Sequence, residues 1–67
     1  MIKEDEIKEA QTYRDYLKFG IPKGLTLNTF LDWRNQLVKL KKDTDENQSL
    51  YDLEIKATDY IIQENFS

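Results

Sequence analysis

Apolar residues recur along this chain at three- and four-residue spacing, in three separate runs. Side chains about 100° apart on a helical wheel return to one face at that spacing, so each run predicts an amphipathic helix. In the first, Ile7, Ala10, Tyr13 and Leu17 form a stripe that predicts a helix over 3–19. Phe19-Gly20-Ile21-Pro22 is its stop signal. Gly20 can adopt the left-handed conformation after a last turn, and Pro22 cannot continue a helix. The short connector through Gly24 and Leu25 reads as a loop.

The second run predicts a helix over 27–42, capped by Thr26 or Asn28 and ended by Lys39, Lys41 and Lys42, whose charges complement the helix dipole. Its apolar arc holds Leu27, Phe30, Leu31, Trp33, Leu37, Val38 and Leu40. An arc that wide predicts the central helix of a bundle. Asp43 to Gln48 is polar throughout and reads as a solvated turn.

The third run, over 49–65, carries two stripes instead of one. Leu50, Leu53, Ala57, Tyr60 and Ile61 share one face, and Tyr51, Ile55, Ile62 and Phe66 lie roughly opposite. Two faces predict two neighbours: the chain's own core and a second surface. The expected fold is therefore all-α, a small three-helix bundle in a single domain over 1–67. Short connections make neighbouring helices antiparallel.

Size sharpens this picture. A chain of 67 residues buries only about 60% of its unfolded surface. Without Cys or His, it has neither disulfides nor the commonest zinc ligands. Homodimerisation is then one route to completing the core. No apolar run approaches the roughly 20 residues of a membrane span. The charged start, Met1 to Glu6, lacks the apolar centre of a signal peptide, so a cytoplasmic location away from membranes is expected.

The chemistry is sparse. No Ser-His-Asp or Cys-His set, no His-containing metal motif and no Gly-rich phosphate loop is present, so neither an enzyme nor a bound cofactor or small-molecule substrate is expected. The Asp43–Asn47 segment lacks the Gly and distal Glu of a calcium loop, and no metal site is expected.

What remains is binding. The expected function is a small non-catalytic protein-interaction module presenting a helix face to a protein partner. Tyr51, Ile55, Ile62 and Phe66 are the first candidate interface, with Trp33 and Arg34 the second, since Trp and Arg are enriched at binding hot spots. Arg34 also has two structural readings: a stem lying along apolar surface, or an ion pair with Glu6 or Asp15 of the first helix.

The alternative class is a small DNA-binding regulator of helix-turn-helix layout, using Asn28, Asp32, Asn35, Gln36 and Lys39. A net charge of −3 and the acid at Asp32 weigh against nucleic acid as the partner. The preference for Lys over Arg, with plentiful Ile, Asn and Tyr, suits an AT-rich genome. An accessory protein of a phage or mobile element fits that bias.

Overall fold

The computed structural model describes residues 2–66. Among them are three α-helices and no strand: α1 (Gln11–Phe19), α2 (Leu27–Asp43) and α3 (Gln48–Phe66), preceded by a 3-10 turn at Glu4–Glu6. The chain is an all-α small helical bundle. The second and third helices lie within one residue of their expected bounds. No helix among the described residues is long and apolar enough to cross a membrane.

The first helix departs from expectation. Instead of running over 3–19, the chain makes the 3-10 turn, turns again at Ile7, and becomes helical only after Ala10, whose φ of −71° and ψ of 133° are extended. The reason is tertiary. In a continuous helix the N–H groups of Gln11 and Thr12 would bond to Ile7 and Lys8 carbonyls. Here both donate to the carboxylate of Glu54 on α3, at 2.8 Å each. The Thr12 hydroxyl adds a third bond to Glu54 Oε1 at 2.6 Å. An acid at a helix start satisfies orphan donors and complements the dipole. Ile7 and Ala10, on either side of the break, are both fully buried in the core.

Gly20 ends α1 as its sequence predicts. Its φ is 70°, and its N–H donates to the Tyr16 carbonyl at 2.8 Å. Ile21 then folds back onto the core. Thr26 leads into α2 in an extended conformation, and its N–H donates to Thr29 Oγ1 at 3.4 Å. The polar turn holds itself together: Glu46 N–H donates to Thr44 Oγ1, and Asn47 takes a φ of 59° before α3 begins. A left-handed φ is tolerable for Asn, whose short polar side chain suits it.

The central helix is α3, not α2 as the wide arc of α2 predicted. It packs against α1 on one side and more extensively against α2 on the other. On the α1 side, Ala57, Tyr60 and Ile61 form one core with Ile7, Ala10 and Tyr13. Tyr13 and Tyr60 meet edge to face, with ring centroids 5.8 Å apart. On the α2 side, Phe66 meets Phe30 at 5.6 Å, Asp59 accepts from Arg34 at 2.6 Å, and Asp52 pairs with Lys41 at 2.6 Å. These three contacts define an antiparallel register with seven-residue steps on α3. The same register brings the buried Leu37 level with Ile55.

From the expected α2 arc, Leu27, Leu31, Trp33 and Leu40 sit outside, and from the stripes of the first and third helices one residue each does. Leu50 is 52% exposed, because α3 at its first turn extends past α1. Leu17 is 65% exposed, because α1 turns Tyr13 and Tyr16 toward α3 and leaves Leu17 on the far flank.

Candidate protein-binding groove

The helices α1 and α2 share no interface comparable to those each makes with α3. An open apolar groove of about 420 Å³ lies where their ends approach. The last turns of α1 contribute Tyr16 and Phe19, the connector contributes Pro22 and Leu25, and the first turns of α2 contribute Phe30 and Trp33. Ile61, from α3, belongs to the lining and is also part of the buried core. Thr12, Asp15 and Thr29 supply the polar edge. Asp15 accepts from Gln11 Nε2 at 2.9 Å and is the one charged residue in the lining.

The aromatic walls differ in how they are held. Phe30 is half-buried and backed by Phe66. Trp33 and Phe19 are 42% and 68% exposed. Rings left partly in water forfeit part of the roughly 1.5–3 kcal/mol that full burial of a large apolar side chain contributes, and a partner could recover it.

The expected site residues divide accordingly. Trp33 stands in the groove. Arg34, its neighbour in sequence, turns away from it, and its guanidinium pairs with Asp59 of α3, not with Glu6 or Asp15 of the first helical stretch. Tyr51, Ile55, Ile62 and Phe66 are all half-buried on α3. Ile55, Ile62 and Phe66 follow Asp52 and Asp59 along the flank that meets α2. Phe66 therefore reaches the groove only through Phe30.

Several contributors were not singled out from the sequence. Phe19 lies off the stripe of the first helix, and it becomes a groove wall only because Gly20 turns the chain there. Glu54 offered a signal: it falls inside the apolar face of α3, one turn from Leu50 and Ala57. Thr58 does the same, and its buried hydroxyl donates to the Glu54 carbonyl at 2.9 Å.

A second, polar concavity of about 350 Å³ lies between the N-terminal segment and α3, lined by Ile2, Lys3, Glu4, Asp5, Tyr60 and Glu64. Tyr60 donates its hydroxyl to Glu4 Oε1 at 3.0 Å. Burial, reinforced by that bond to Glu4, pushes the Tyr60 phenol up to about 12. Beside it, Lys3 N–H donates to Glu6 and lowers that carboxyl below its ordinary value. Among the described residues, no group of three or more His, Cys, Asp or Glu side chains is placed to hold a metal ion.

Compared with known proteins, the chain matches no family model, no curated protein and no solved structure.

Proposed function

We propose that this chain is a small non-catalytic protein-interaction module whose groove receives the apolar face of a partner's helix. One observation carries this: Trp33 and Phe19 stand exposed on the walls of an open apolar groove whose lining includes the buried Ile61. A helix fits a groove flanked by helices, with anchors at i, i+4 and i+7 seated between the rings. Trp33 is the anchor of the site, since a Trp in a desolvated pocket is among the strongest contributors to binding. Arg34 and the Ile55, Ile62 and Phe66 flank support it by keeping α2 seated on α3. Tyr51 is held as a peripheral contact. The cytoplasmic setting and the role of phage or mobile-element accessory protein belong to this proposal, on composition alone.

A displayed library of amphipathic helical peptides tests it. The protein should enrich peptides with an apolar stripe, and Trp33→Ser should weaken the selected peptides by at least about tenfold with the helical content unchanged. A selection that enriches nothing, or peptides indifferent to Trp33→Ser, would remove the groove as the binding site.

A further inference from the structure

We infer that in the free protein the groove is closed by a second copy of this chain, in a two-fold dimer where each Phe19 enters the other copy's groove. This assignment rests on the groove being a protein-binding site.

Area argues for it first. A compact monomer of 8.0 kDa should expose roughly 4,450 Å². This chain exposes 4984 Å². The excess is about 500 Å² per copy, and an interface that covered it on both copies would bury about 1,000 Å², which is where specific interfaces begin. A dimer of that size is weak, so it forms reversibly.

Shape argues next. A two-fold interface needs one patch that is complementary to itself. The same patch here holds a projection and a hollow. Phe19 stands on the lip, 68% exposed, and the hollow runs from Phe19 to Trp33.

Charge completes the match. The Lys18 ammonium lies 5.2 Å from the centroid of the Phe19 ring, so it travels with the projection. Asp15 is the acid in the hollow. Inserting Phe19 carries Lys18 toward Asp15 of the other copy, and symmetry makes that pairing twice. Dimerisation and capture of a partner helix then compete for one surface, so partner binding must separate the copies.

Sedimentation equilibrium from micromolar to millimolar concentration is the test. Wild type should dimerise, and Phe19→Ser should raise the dimer Kd by at least about tenfold while circular dichroism shows the fold intact. Asp15→Lys and Lys18→Glu should each weaken the dimer, because each sets like charges against one another across the two-fold. Mixed together, the two variants should form a heterodimer at concentrations where each alone is monomeric, since both cross-pairs are then opposite in sign. A wild type that stays monomeric throughout, a dimer indifferent to Phe19→Ser, or variants that fail to pair when mixed would each overturn the assignment. Peptides selected on the groove separate the two layers. If they bind a monomeric wild type through Trp33, the groove stands and only the second copy falls. If they bind without dissociating the dimer, the shared surface is overturned.

Discussion

Against α1 and the N-terminal turn, α3 buries a dry core of Ile7, Ala10, Tyr13, Ala57, Tyr60 and Ile61 and ties the start of α1 down through Glu54. Against α2 it makes a longer seam with a different character. Leu37 is the only buried residue of α2, and around it lie half-buried apolar side chains and two ion pairs, Arg34–Asp59 and Lys41–Asp52. The longer interface is the shallower one. Extent of contact and depth of burial are separate quantities, and depth decides stability, because only area removed from water contributes hydrophobic free energy. The shallow seam leaves the aromatic end of α2 uncovered, and that is where the groove lies.

The largest expected effect is at the deep interface. Ile61→Asp would place a carboxylate in the core without a partner, at a cost of several kcal/mol. A domain this small has about 3–5 kcal/mol to lose. The variant should show an unfolded far-UV circular dichroism spectrum. A folded Ile61→Asp would mean that the α1 side is not the core on which the rest depends.

Next comes the cap. Glu54→Ala should destabilise by about 2–4 kcal/mol, because two backbone N–H groups and the Thr12 hydroxyl lose their acceptor together. Urea denaturation measures the loss, and amide exchange at Gln11 and Thr12 should accelerate most. A neutral result would show that water replaces the carboxylate at no cost.

At the shallow seam the same kind of deletion should matter much less. Arg34→Ala and Lys41→Ala should each cost under about 1 kcal/mol, since these pairs are partly exposed and screened. The effect should shrink further in high salt. A cost near that of Glu54→Ala would erase the distinction between the two interfaces.

The last effect appears only in alkali. The Tyr60 phenol is held near 12 in the folded chain, above the roughly 10 of an unfolded tyrosine. Its contribution to stability is therefore fully present below about pH 10 and is lost as pH rises toward 12, because the unfolded state releases that proton first. Burial also raises the Tyr13 phenol, so in a spectrophotometric titration Tyr13 and Tyr60 should both ionise late, with Tyr60 last, and Tyr60→Phe should remove the last phase. A titration unchanged by Tyr60→Phe would mean that Tyr60 is not the phenol held back.

Much of this molecule was legible along the chain. Periodicity located α2 and α3, and Gly20 and Pro22 marked the end of α1, because spacing and turn chemistry are local properties. The two stripes of α3 implied the chain's own core and a second surface; α3 packs against α1 on one side and α2 on the other, and Phe66 of the second stripe meets Phe30. Of the two candidate patches, Trp33 stands exposed at the groove, while Ile55, Ile62 and Phe66 lie along the α2 flank. The arc of α2 is wide without making that helix central: Phe30 and Trp33 line the groove, and Leu27, Leu31 and Leu40 stay partly exposed.

By itself, then, the sequence determined which segments are helical, that three helices make an all-α bundle, and that more apolar surface exists than one small core can absorb. Only the tertiary structure decided where the first helix begins, which helix is central, and which rings stay in water. The reason is physical. Glu54 lies 43 residues from the Gln11 N–H it accepts, so no local pattern could announce that Ala10 would end an extended segment instead of continuing a helix. Likewise, Phe19 and Trp33 line one groove only because α1 and α2 are each held by α3 and not by one another.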